Sequence, residues 1–218
     1  MPTLTPAVSK DTYLNDGAAT TNYGTDTTFK VGSDVGRSTT IYRALMDWDI
    51  SAIPQKSRIR SVSLAFTTSG GNTDGNSQVY AFHRVDSDAS AWVEAEATQG
   101  IYKSGSNWKA AGGDYDAALT KTFQVIGPES VSTWSFTDNT ADGVFRQIVH
   151  DAVRRRKGDL NLLMKQHTEG STDAAMTWAS QNHGTSGKRP VLTIVYTAGS
   201  TGTRSRQGMR RSSRGFGC

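Results

Sequence analysis

Hydrophobic and polar residues alternate along much of the chain, with the period of two that places successive side chains on opposite faces of a β-strand. The longest alternating run spans residues 41–50. Its apolar face consists of Tyr42, Ala44, Met46, Trp48 and Ile50. The pattern predicts about nine strands, near residues 27–31, 41–50, 59–68, 78–85, 121–126, 131–137, 160–166, 174–179 and 190–197. We expect Trp48, Trp134 and Trp178, which lie in these runs, to belong to the core.

One segment, at about residues 141–157, has a helical period instead. Its apolar positions are Val144, Phe145, Ile148, Val149, Ala152 and Val153. Asp138 and Thr140 are candidate caps at its start, and Gly158 is suited to end it. The basic run Arg154–Lys157 has two interpretations, either an anion-binding patch or a solvated last turn that complements the helix dipole.

Composition agrees with an all-β fold. The 218 residues include 22 glycines and are 35% hydrophobic, with abundant Ser and Thr between the strands. Such a chain favours many short strands and tight turns over a helical bundle. We therefore predict a jelly-roll β-sandwich with one short α-helix. The predicted organisation is an N-terminal arm (1–9), the sandwich domain (10–197) and a C-terminal tail (198–218).

The positive charge is concentrated in that tail. The chain has 24 Lys and Arg against 20 Asp and Glu, a net charge of +4. Five of the arginines are in the tail, namely Arg204, Arg206, Arg210, Arg211 and Arg214. Without them the body of the chain is almost neutral, which argues against a nucleic-acid-binding groove. Three interpretations of the tail stay open: phosphate binding, contact with an acidic neighbouring subunit in an assembly, or solubilisation.

Motifs for catalysis and metal binding are sparse. The single cysteine is Cys218, and the four histidines (His83, His150, His167 and His183) lack metal-ligand spacing. Glu94 and Glu96 lie two residues apart, so a lyase or hydrolase is one interpretation of this pair, and a structural role is the other. We expect no cofactor, although a structural calcium held by Asp11, Asp16, Asp26 and Asp34 is conceivable.

The N-terminal residues lack the basic and apolar regions of a signal peptide. The sequence also has no apolar run near the roughly 20 residues that span a membrane. We therefore expect synthesis in a cytoplasm, without an export signal and without a membrane partner.

A series of short motifs, taken in order, is similar to the DNRLRE-type domains, a family of carbohydrate-binding-module-like jelly rolls. The series covers about residues 10–197. Its members are Asp11–Leu14, Asn22–Thr25, Phe29–Gly32, Ala44–Pro54, Ile59–Leu64, Trp92–Glu94, Asn107–Trp108, Gly112–Tyr115, Trp178–Ser180 and Arg189–Tyr196.

The resemblance implies a non-catalytic adhesive or polysaccharide-binding domain. A free-standing copy with a basic tail resembles a bacteriophage virion surface protein, such as a head-decoration, fibre or tail component. The expected partners are then other virion proteins, through the tail, and a surface glycan, with a homo-oligomer left open. The alternative is a polysaccharide-binding module of a carbohydrate-degrading system.

One polar loop carries the residue types that bind sugars. Aromatic rings stack on the C–H faces of sugars, and nearby amides and carboxylates bond the hydroxyl groups. The candidate ligand-binding residues are Tyr102, Asn107, Trp108, Asp114 and Tyr115. The other interpretation is that Trp108 and Tyr115 hold the loop against the sheet.

Overall fold

The computed structural model describes residues 1–36, 38–70, 77–126, 133–140 and 142–199. These residues form thirteen strands and one α-helix. The strands are β1 (Thr3–Leu4), β2 (Lys10–Asn15), β3 (Thr28–Val35), β4 (Thr39–Asp49), β5 (Arg58–Gly70), β6 (Ser77–Val85), β7 (Ile101–Lys103), β8 (Ser106–Asn107), β9 (Tyr115–Ile126), β10 (Thr133–Asp138), β11 (Asp159–Gln166), β12 (Met176–Ala179) and β13 (Val191–Thr197). The helix, α1, spans Val144–Arg155. The all-β prediction with one helix is confirmed.

Eleven strands form one antiparallel sheet, and nine of them follow the order β1-β13-β5-β12-β3-β4-β11-β6-β9. The other two lie off this path, with β10 paired to β5 and β2 paired to β4. The ends β9 and β10 meet without pairing, through the rings of Phe123 and Phe136, whose centroids are 5.9 Å apart. The sheet therefore curls around its own core as a β-sandwich. Strands β7 and β8 form a separate hairpin.

The main core lies inside this curl. Trp48 and Trp178 are fully buried, as the alternation predicts. Trp134 is only partly buried and packs at the margin of the core beside β9. The buried side of α1 adds five apolar side chains to the same core, which are Phe145, Ile148, Val149, Ala152 and Val153.

The helix is shorter than the predicted 141–157. Asp138, at the end of β10, accepts the backbone N–H of Phe145 at 3.0 Å and thereby caps the first turn. At the other end, Gly158 has a φ of 92° and donates its N–H to the carbonyl of Ala152. A left-handed glycine that bonds back into the last turn ends an α-helix.

Four short strands were not predicted. Residues 3–4 of the predicted arm form β1, which pairs with Val195 and Ile194 of β13. Strand β2 pairs with β4 over six residues, and β7 and β8 lie in the central loop.

The described part of the chain contains no helix long and apolar enough to cross a membrane. The five tail arginines lie outside the described residues.

Candidate functional site

The segment 86–114, between β6 and β9, folds over the outer face of the sheet. A second apolar cluster, separate from the main core, seals this contact. The strands contribute Leu14, Leu45, Val85 and Leu163, and the segment contributes Ala89, Trp92, Ala97 and Trp108. Burying apolar surface on both sides of these strands stabilises the segment in one position. We refer to residues 86–114 as the covering segment.

Two glutamates fix the covering segment. Glu94 accepts the backbone N–H of Asp11 at 2.8 Å and also accepts the side-chain amide of Gln181. Glu96 accepts the backbone N–H of Ser104 at 2.7 Å. Both carboxylates therefore accept backbone hydrogen bonds in a long loop, which favours the structural interpretation of this pair.

A polar network ties Trp92 to the sheet beneath it. The indole Nε1–H of Trp92 donates to Oδ1 of Asn161 at 2.8 Å. The ammonium of Lys10 donates to the carbonyl of Trp92, lies 4.3 Å from its ring centroid, and pairs with Asp47 at 3.1 Å. A buried indole satisfied in this way positions the loop and is closed to a ligand.

Two of the predicted site residues have buried side chains. Trp108 is 5% exposed, and its indole Nε1–H donates to the carbonyl of Thr98 at 2.8 Å. Asp114 is buried and accepts the backbone N–H groups of Lys109 and Ala110 at 2.8 and 2.9 Å. The structure thus favours the interpretation that Trp108 holds the loop against the sheet.

The other three predicted residues reach the surface. Tyr102, in β7, is partly exposed and packs on Trp108 with ring centroids 5.4 Å apart. Asn107, in β8, is exposed. Tyr115, the first residue of β9, is partly exposed and packs on His83 at 4.4 Å. Both tyrosines pack against the second apolar cluster, so the two rings lie on the same side of the sheet.

Charged side chains that sequence reasoning missed border Tyr115. Arg43 binds Glu169 through two hydrogen bonds of 2.8 Å and donates to the carbonyl of Gly112. Lys165 pairs with Glu169 at 3.3 Å, and its ammonium lies 5.9 Å from the Tyr115 ring. Arg43 and Glu169 are 126 positions apart, so no local pattern could have joined them. We call Tyr102, Asn107, Tyr115, Arg43, Lys165 and Glu169 the tyrosine face.

His83 lies beneath this face as a neutral ring. Burial, and after it the charge of Lys165, lowers the pKa of His83 to about 4. Its Nδ1 lies 3.0 Å from the hydroxyl of Thr120, which fixes the ring under Tyr115. The positive charges near Tyr115 are therefore those of Arg43 and Lys165 at neutral pH.

The four aspartates considered for calcium do not come together. Asp11 accepts the backbone N–H of Gln181, whereas Asp16 accepts that of Ile41. Throughout the described ranges, no group of three or more His, Cys, Asp or Glu side chains is arranged to hold a metal ion.

Comparison with known families gives one match. A model of carbohydrate-binding module family 96 matches residues 2–101, which span β1 to β6 and the first half of the covering segment, up to the first residue of β7. No curated protein matches the chain significantly. Together, the β-sandwich and this match support a carbohydrate-binding-module-like domain. Modules of this class bind glycans and are generally non-catalytic.

Proposed function

We propose that this protein is a non-catalytic polysaccharide-binding module and that the tyrosine face is its glycan site. The observation that carries the proposal is the position of Tyr102 and Tyr115. Both rings are partly exposed and pack against the second apolar cluster, on the side of the sheet that the covering segment covers.

The chemistry of the face suits a sugar. A tyrosine ring offers an apolar surface for C–H groups and a hydroxyl at its tip. Asn107 supplies an amide that both donates and accepts, while the paired Arg43 and Glu169 add fixed donors and acceptors beside Tyr115. An array of pre-positioned polar groups next to a ring binds without a large ordering cost.

Trp108 and Asp114 take a different part in this proposal. They are positioning residues, because Trp108 supports the Tyr102 ring and Asp114 fixes the turn that precedes Tyr115. Loss of binding in a Trp108 variant would therefore arise through the shape of the loop.

The test is a glycan array followed by affinity electrophoresis on the polysaccharide that the array identifies. We expect Tyr102→Ala and Tyr115→Ala to weaken binding by about tenfold each, since loss of a stacked ring costs roughly 1.5 kcal/mol. Tyr196→Ala is the matched control, because Tyr196 is a partly buried tyrosine on β13. Equal losses in all three variants, or no glycan binding at all, would overturn the proposal.

We also propose, from the ordered series of motifs, that the module is a DNRLRE-type domain displayed on the surface of a bacteriophage virion. In this proposal the five arginines of residues 198–218 contact an acidic neighbouring virion protein, since their charge follows an almost neutral body. Mass spectrometry of purified particles tests it. The chain is expected among the virion proteins, and its absence from them would exclude the role while leaving glycan binding untouched.

A further inference from the structure

Two clefts lie side by side along the exposed flank of α1, away from the tyrosine face. The first, of about 190 Å³, is lined by Arg58, Ile59, Arg146, Gln147 and His150. The second, of about 370 Å³, is lined by Arg84, Leu119, Gln147, His150, Asp151, Arg154 and Arg155. They share Gln147 and His150, one turn apart on the helix, so the two clefts form one continuous depression.

The positive charge around this depression is only partly neutralised. Its one lining acid, Asp151, already pairs with Arg84 at 2.5 Å and with Arg155 and Arg156 at 3.5 Å. Arg146 donates to the backbone carbonyls of Ile59, Asn139 and Thr140, which hold the side chain without cancelling its charge.

Two further arginines are uncommitted. Within the described ranges, no hydrogen bond or ion pair engages the guanidinium of Arg58 or of Arg154. Arg58 lies at the start of β5, opposite the last residue of β13, and Arg154 lies in the last turn of α1. Each borders one of the two clefts, so free donors enter the depression from two different elements.

His150, which lines both clefts, is affected by the same excess of positive charge. Burial lowers the pKa of His150, and the charges of Arg154 and Arg146 lower it further, against the opposing effect of Asp151. The positive potential of these arginines disfavours a positive charge on His150 and favours binding of an anion. At neutral pH the ring is uncharged and offers either a donor or an acceptor.

We propose that the flank of α1 is a second binding site, which takes a tetrahedral oxyanion of the phosphate or sulfate class between Arg58, His150 and Arg154. The basic run Arg154–Lys157 left an anion-binding patch open, and the family match, over residues 2–101, assigns no ligand to this flank. The site is independent of the glycan proposal, because it shares no residue with the tyrosine face.

The arrangement of donors selects the shape of the anion. A planar carboxylate is best met by a single guanidinium, which binds both oxygens from one side. Here the donors come from β5 and from two successive turns of α1, and His150 lines both clefts, one together with Arg58 and the other together with Arg154. A tetrahedral group presents oxygens in several directions and can accept from each of them.

The experiment is a titration of the full chain with inorganic phosphate, sodium sulfate and sodium acetate, at constant ionic strength, followed by NMR of the His150 imidazole. Phosphate and sulfate are expected to bind saturably and to raise the pKa of His150, whereas acetate is expected to bind at least about tenfold more weakly. A response to phosphate alone or to sulfate alone would identify which anion the site takes.

Variants separate this site from the arginines of the tail, which also attract anions. Arg58→Ala and Arg154→Ala are each expected to weaken phosphate binding at His150 about fivefold or more. Arg189→Ala is the matched control, because Arg189 is an exposed arginine just before β13, at the end of that strand remote from Arg58. Its effect is expected to stay within about twofold.

Three results would overturn the proposal. They are no saturable change at His150 with either anion, equal binding of acetate, and equal losses in Arg58→Ala and Arg189→Ala. Circular dichroism of each variant checks that the fold is retained. Because glycan binding is measured separately, failure of the anion site leaves the proposed function standing, and the reverse is also true.

Discussion

The carboxylate of Glu94 accepts the backbone N–H of Asp11 at 2.8 Å, across 83 positions of the chain. This bond joins the covering segment to β2, and the Gln181 side chain bonds to the same oxygen. The second acidic residue of the pair, Glu96, bonds only within the covering segment, to Ser104. Glu94 therefore connects three separated parts of the chain that together support the tyrosine face.

We predict that Glu94→Ala destabilises the protein by about 1–3 kcal/mol, because a buried backbone N–H and an amide would lose their acceptor. For a domain of this size, each kcal/mol corresponds to about 2–4 °C in Tm. Glu96→Ala is the matched control, with a smaller expected loss because its bond is exposed. Thermal unfolding measures both. A Tm for Glu94→Ala equal to that of Glu96→Ala would show that Glu94 is not the anchor.

Burial of Asp11 predicts a pH dependence of stability. Desolvation raises the pKa of Asp11 from 3.8 to about 7, against the opposing hydrogen bond from the Gln181 backbone. Because the folded state holds this proton more tightly, the stability contributed by Asp11 is complete below pH 4 and is lost as pH rises towards 7. Burial and the neighbouring Asp159 raise the pKa of Asp47 and act in the same direction.

Asp11→Asn isolates this effect, since Asn stays neutral and still offers an oxygen to the Gln181 N–H. The free energy of unfolding of the variant, measured by urea denaturation, is expected to fall less than that of the parent as pH rises from about 4 to 8. His83, whose pKa is lowered to about 4, loses its contribution in the opposite direction, as pH falls from 6.5. The contribution of His83 to stability changes equally in the parent and in Asp11→Asn, so it does not affect the difference between them. Asp142→Asn, at an exposed position, is the matched control for the exchange of Asp for Asn. A parallel profile for Asp11→Asn would contradict the assignment.

Two glycines in the covering segment allow a paired test of its packing. Gly113 (φ 98°) and Gly105 (φ 73°) both have left-handed backbones, so alanine strains either position by about 1 kcal/mol. A Cβ at Gly113 would lie 2.6 Å from Cδ1 of Leu163, whereas nothing lies within 4 Å of one at Gly105. We therefore expect Gly113→Ala to cost about 1–3 kcal/mol more than Gly105→Ala in thermal unfolding. Equal costs would show that the segment does not press on the sheet at this point.

The spacing of apolar residues along the chain predicts the strands and the helix whose own residues form a regular apolar face. The alternation of residues 41–50 places Trp48 inside, and the helical spacing around Phe145 locates α1 to within three residues at each end. Strand β2 was missed because its Asp11 and Thr12 are polar yet buried. Asp11 bonds to Glu94 of the covering segment and to Gln181 of the loop after β12, 83 and 170 positions away.

The residues of the candidate site also fall into two groups, those that composition predicts and those that depend on contacts between distant parts of the chain. Composition alone predicted Tyr102, Asn107, Trp108, Asp114 and Tyr115 as candidate sugar-binding residues. The same composition could not show that Trp108 turns inward, since that depends on the apolar pocket formed by Leu45 and Leu163. No sequence pattern indicated Arg43 or Lys165. They lie near Tyr115 because the strands β4 and β11 pair in the sheet and because Glu169, which follows β11, binds both side chains.

The most direct test of the central claim is a backbone-amide NMR titration with the oligosaccharide that the glycan array identifies. The account predicts that the largest shift changes occur at Tyr102, Asn107, Tyr115 and Lys165, and that they disappear in Tyr115→Ala. Changes concentrated on β1, β13 and β10, on the opposite side of the sandwich, would contradict the claim that the covering segment forms the glycan site.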